Sequence, residues 1–162
     1  MRVIGIDPGT AITGWGVIEF NNGTLKSIDF GYIKTATEQS KEERLKTIYE
    51  DLLAVIKNTA PDDMAIEKIF FNINVKTALS VGQARGVCLL AAAIANIPAY
   101  EYNTSEVKSI ITGYGRATKS EVASKVKELL RLEETPKPDD VTDALAIAVT
   151  HVFLKSNVNI QQ

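Results

Sequence analysis

Cysteine is nearly absent from this 162-residue chain: Cys88 stands alone, so no intrachain disulfide is available, and its alanine-rich apolar surroundings mark it as a core residue. Long hydrophobic runs are missing too. No stretch approaches the roughly 18 apolar residues of a membrane span, and the opening MRVIGIDPGT breaks at Pro8-Gly9 too early for a secretory signal. The expectation is a cytoplasmic protein without a membrane partner. An excess of positive charge is also lacking: the net charge is −2, which argues against gripping nucleic acid through a broadly basic surface. Any attraction to phosphate must be local. Repeats and low-complexity segments are absent, and histidine occurs once, as His151.

What is present, 45% hydrophobic and 23% charged residues, suits one folded domain, expected over residues 1–156 with a polar tail at 157–162. Residues 2 to 7 form an apolar strand that halts at Pro8-Gly9, placing Asp7 at its carboxyl end. Strand patterns over Thr13 to Phe20 and Leu25 to Thr35, split by Asn21-Asn22-Gly23, predict three successive antiparallel strands. From Lys41 to Ile56, Leu45, Ile48, Tyr49, Leu52, Leu53 and Ile56 fall at three- and four-residue steps, the signature of an amphipathic helix. A short strand from Met64 then ends on Glu67, and the strand-helix-strand order favours parallel pairing with the first strand.

Lys76 to Asn96 is a long helix-compatible run whose small residues Ala78, Gly82 and Gly86 recur every four positions; packing against its own sheet is favoured over a subunit interface. A strand at Ala99 to Tyr102 and a short helix opened by Asn103, Thr104 and Glu106 follow, ending at Gly113. Thr118 and Glu121 have capping-box spacing for a helix through Arg131, and Pro138 leads into a final helix from Asp139 to Leu154.

Two strand-end acids would emerge at one sheet edge, and Asp140 with Asp143 share a face at a helix start, where the helix dipole favours anions. Four gathered carboxylates would raise one another's pKa unless divalent cations neutralised them. Hard oxygen ligands suit Mg²⁺ or Mn²⁺, and two such ions serve an in-line phosphoryl displacement. Taken alone, each acid is more readily an ordinary cap or loop residue than a ligand. Asp139 competes with Asp140 for the ligand position, and spacing does not choose between them. His151 follows Asp140 by eleven residues, about 16 Å along a helix, too far to share a metal, and reads as a polar or interface residue.

GIDPGTAITGWGV (Gly5 to Val17), AIEKIF (Ala65 to Phe70), GQARG (Gly82 to Gly86) and DDVTDALAIAVTH (Asp139 to His151) resemble, in order and over nearly the whole chain, the RuvC-type Holliday junction resolvases. The resemblance implies an α/β, ribonuclease-H-like fold with a five-stranded mixed sheet flanked by helices. It implies a homodimer that nicks two opposed strands of a four-way DNA junction by Mg²⁺-dependent hydrolysis, two ions per site, in recombination and repair. RuvA and RuvB are the partners it implies. Carried over by motif, Asp7, Glu67, Asp140 and Asp143 are metal ligands, with Asp139 a neighbour or cap. Lys119 is added as catalytic, and Lys108, Arg116 and Lys119 around the Gly113 to Thr118 loop are expected at DNA phosphates. Phe70 and Phe71 would stack on exposed bases. Lys76 and Arg85 are weaker candidates for the DNA backbone. Rival readings are an actin-like ATPase or sugar kinase, for which the chain is short of a second lobe, a non-catalytic junction-binding module, and an RNA-processing nuclease.

Overall fold

Alternation along Arg2–Asp7 (β1) sends Ile4 and Ile6 to one face of a sheet and Val3, Gly5 and Asp7 to the other. In this computed structural model, which describes residues 1–69 and 75–157, β1 is the middle strand of five in the order β3-β2-β1-β4-β5. Ile12–Asn21 (β2) pairs antiparallel with β1, and Thr24–Lys34 (β3) pairs antiparallel with β2. Asn22 and Gly23, both at positive φ, close that hairpin as the Asn-Gly pair predicts. Asp63–Glu67 (β4) and Ala99–Tyr102 (β5) run parallel to β1, so the sheet is mixed, as expected.

Five helices among the described residues cover it. Lys41–Thr59 (α1) begins at a Ser40/Glu43 capping box and buries Ile48, Leu52 and Ile56. It stops at the expected Ala60-Pro61 break, where Ala60 turns left-handed. Val75–Ile94 (α2) lies on the same sheet face, where Ala84, Cys88, Ala91 and Ala92 join Ile4, Ile6, Met64 and Ile66 in one core layer. Burial pushes the Cys88 thiol up to about 12, so it is an inert packing group.

Thr104–Thr112 (α3), Lys119–Leu129 (α4) and Asp139–Ser156 (α5) build the other layer with Val3, Ile18 and Ala65. Capping boxes at Asn103/Glu106 and Thr118/Glu121 start α3 and α4 as expected. The α4 helix ends earlier than expected because Arg131 adopts a left-handed backbone and Leu132 bonds back to the Lys127 carbonyl. The α5 helix runs past Leu154 to a left-handed Asn157. No helix among the described residues is long and apolar enough to cross a membrane.

The small-residue side of α2 corrects one expectation. A methyl group on Gly86 would meet nothing within 4 Å, and one on Gly82 only the tip of Ile69, so this side does not pack on its own sheet. Alongside it Leu79, Leu90 and Ile94 are exposed at 64%, 53% and 51%.

Candidate active site

Bare backbone in the sheet is what lets α5 reach the acids. Gly5 pairs with Gly16 across β1 and β2, and Asp7 with Gly14. A side chain on Gly14 would collide with the Asp140 carbonyl, and one on Gly5 with the Ala144 carbonyl. The first turn of α5 therefore sits directly on the strand pair that ends in Asp7. On the other side of β1, the parallel register Ile6↔Ile66 brings the end of β4, and Glu67, to the same sheet edge.

The result is electrostatic crowding at Asp7. Burial, then Glu67, Asp143 and Asp140 in that order, push its carboxyl up to about 7, with only Lys119 opposing. Asp7, Glu67 and Asp143 open onto one cavity of about 320 Å³, which Thr104, Lys108 and Lys119 also line. Asp140 stands beside it, packed on Gly14. The Lys119 ammonium is 2.8 Å from Asp143 Oδ2, which raises the lysine's pKa; its side chain is 71% exposed. Among the described residues no three or more Asp, Glu, His or Cys side chains are gathered into a group that could hold a metal ion. The acids share a field and a cleft without closing into a shell. Their hard oxygens, their mutual repulsion and the lysine cation already drawn to Asp143 fit a divalent cation.

Two contacts at Glu67 come from other elements. Thr104 Oγ1 donates to Glu67 Oε1 at 2.6 Å, and Arg85 Nε donates to the Glu67 backbone carbonyl at 3.1 Å. Sequence reasoning missed Thr104, reading it only as part of a helix start. Its one available signal was a hydroxyl one residue beyond the cap, just after a strand. Arg85, a weaker candidate for the DNA backbone, pairs through its guanidinium with Glu101 and is largely buried, which makes it a support for the β4 terminus.

Asp139 and Asp140 are separated by position. Asp139 is exposed, paired with Lys137 at 2.8 Å, and makes no capping bond, Pro138 being the N-cap; the expectation of a cap is corrected accordingly. Asp140 is the one that faces Asp7. Lys108 is half-buried in the cavity wall and Arg116 is exposed in the loop before α4. Phe70 and Phe71 lie outside the described residues, as does the side chain of Lys76. His151, expected to be polar or at an interface, is buried in a separate network, with Nδ1 2.7 Å from the Tyr102 hydroxyl and Nε2 3.1 Å from Asp63. Burial is affordable because both ring nitrogens find partners.

Carboxylates delivered by two parallel strand ends and by a helix laid across the sheet define a ribonuclease-H-like nuclease. The family model for crossover junction endodeoxyribonuclease RuvC matches residues 3–151. A crossover junction endodeoxyribonuclease RuvC of Brevibacillus brevis is 47% identical over 162 residues, covering 100% of this chain and 98% of that protein. One from Caldicellulosiruptor saccharolyticus is 49% identical over 163 residues, with 100% and 98% covered. Among solved structures, Thermus thermophilus RuvC in complex with a Holliday junction substrate superposes with a TM-score of 0.91 at 37% identity, covering 96% of this chain and 94% of that one. The chain belongs to the crossover junction endodeoxyribonuclease RuvC family.

Proposed function

We propose that this chain is a structure-specific endonuclease that resolves four-way DNA junctions by divalent-cation-dependent phosphodiester hydrolysis. The observation that carries this is the Asp7 carboxyl, pushed up to about 7 by its burial and by three other acids around it. Such crowding is unfavourable without a cation and natural with one. Asp7, Glu67, Asp140 and Asp143 would hold two such ions, Mg²⁺ with Mn²⁺ as its substitute, whose chemistry is to neutralise charge on the attacking and leaving oxygens of an in-line displacement.

The chain's own residues supply the rest. Thr104 holds one oxygen of Glu67 through the 2.6 Å hydrogen bond, in the cavity that both side chains line. Lys119 holds Asp143 in the absence of substrate, and its exposure lets it exchange that partner for a phosphate oxygen. Lys108, on the wall between α3 and the acids, is positioned to steady the same phosphate. Arg116, exposed in the loop before α4, is assigned to phosphate on the strength of the family. Phe70 and Phe71, in the segment after Glu67, are assigned to unstacked bases on the strength of the family.

A homodimer is the assembly this reading requires, since resolution needs two opposed cuts on a nearly two-fold substrate. The exposed Leu79, Leu90 and Ile94 beside Gly82 and Gly86 offer a self-complementary helix face for it. RuvA and RuvB are the partners, and the cytoplasm the compartment, that family membership supports. The complex of the Thermus thermophilus relative with a Holliday junction supports the substrate assignment. Incubation with synthetic four-way junctions, linear duplex and RNA hybrids, with and without Mg²⁺, tests it. Metal-dependent cutting confined to the junction is expected; equal cutting of linear duplex contradicts the junction assignment.

A further inference from the structure

A second depression of about 650 Å³ lies between α4 and the start of α5, and it shares Lys119 and Asp143 with the active-site cavity. We infer that this groove is a track for the DNA backbone beyond the scissile position, with Lys127 and Lys137 as its phosphate-binding residues. The inference rests on the endonuclease reading above and names where the cut strand runs.

One wall is a single face of α4. Lys119, Ser120, Ala123, Ser124 and Lys127 all line the groove, at helical positions i, i+1, i+4, i+5 and i+8. Eight residues place the two lysine stems about 12 Å apart. That spans roughly three nucleotides of a duplex strand at 3.4 Å of axis each. Between them the side chains are short, so the floor is open, and two carry hydroxyls that donate to phosphate oxygens. Lys127 has no ion pair among the described residues.

Lys137 lines the groove as well. Its partner there is Asp139, in a pair whose side chains are 76% and 63% exposed, an arrangement that yields readily to a competing anion. The other acid in the groove is Asp143, already engaged by Lys119 and assigned above to the cation site. Three lysines therefore face two aspartates, a positive balance in a chain whose net charge is −2. This is the local attraction that the overall charge requires of a DNA-binding protein. Because the groove opens from the active-site cavity, a strand seated at Asp7 can continue into it without leaving the protein surface.

Binding of a fluorescent four-way junction, measured by anisotropy in chelator over about 50 to 200 mM salt, tests the track through its counterion release. Lys127→Gln and Lys137→Gln should each lower the slope of log affinity against log salt by about 0.7 to 0.9, which is about five- to eightfold in affinity at 0.1 M salt. Lys127→Arg should keep the wild-type slope. Lys46→Gln, which removes an exposed lysine paired with Glu50 on α1, should change nothing. Unaltered melting temperatures check that the variants fold. Slopes equal to wild type for both groove variants would overturn the track while leaving the endonuclease reading intact. A wild-type chain that fails to bind junctions would overturn both.

Discussion

Asp7 owes its behaviour to neighbours that are distant in sequence, and so does Glu67. Thr104 reaches Glu67 from 37 positions away, and a carboxylate held by a hydroxyl keeps one orientation for its remaining oxygen. Thr104→Val is expected to weaken metal-dependent cutting by about 10- to 100-fold, with Thr104→Ser restoring most of it, as read from single-turnover rates across a Mg²⁺ titration. Unchanged rates in Thr104→Val would remove the hydroxyl from the account. At this scale the acids were legible because an acid ending an apolar strand, or a pair opening an apolar helix, breaks the local pattern. Thr104 and Arg85 were not, because a hydrogen bond to a strand end leaves no periodicity behind. Asp139 and Asp140 differ only in which way one turn of helix points, which spacing alone does not encode.

The element that matters most is α5, seated on Gly5, Gly14 and Gly16. Its approach depends on strand positions with no side chain, so adding one should act on stability and chemistry together. Gly14→Ala is expected to destabilise the fold by about 1–3 kcal/mol through overpacking. It should also lower cutting, because the helix that moves carries Asp140 and Asp143. Urea unfolding and cleavage rates on the same preparation check this, and a stable, fully active variant would contradict the close seating. Strand and helix identities were readable from periodicity and capping boxes. The outward face of α2 was not, since Gly and Ala at four-residue intervals mark a close approach without saying to what. The inward face is fixed by Ala84, Cys88 and Ala91 meeting β1 and β4, a tertiary choice.

Across the whole molecule, the two ends of the sheet carry different polar devices. Far from the acids, Asp63 can only accept, so neutral His151 donates from Nε2 and receives the Tyr102 hydroxyl at Nδ1, while Lys155 holds Asp63 at 2.6 Å and Tyr100 packs on the imidazole. Burial, with the nearby Lys155 ammonium adding to it, lowers the His151 pKa below 6.5 despite the opposing Asp63. The unfolded chain thus binds a proton near pH 6.5 that the folded chain refuses, and stability falls as pH drops below about 6.5. Burial works to raise the Asp63 pKa, but its bonds from Lys155 and His151 outweigh that and lower it, so its share of stability is lost only below about 4.

His151→Phe, which leaves Asp63 with Lys155 alone and Tyr102 without its acceptor, should cost about 2–3 kcal/mol near pH 7.5 and less near pH 5, by urea unfolding at both. A pH-independent difference would contradict the neutral-histidine assignment. Leu90→Glu, on the exposed side of α2, is expected to shift the proposed homodimer toward monomer in sedimentation velocity; a dimer that it leaves undisturbed would place the interface elsewhere.

Whether the acids gathered around Asp7 perform the cut is decided by Asp7→Asn, which removes a charge while keeping the shape. Junction binding by anisotropy and junction cleavage in Mg²⁺ should be measured on the same protein. Wild-type binding with cutting reduced by about a thousandfold or more is expected. Cutting that survives undiminished in Asp7→Asn would contradict it.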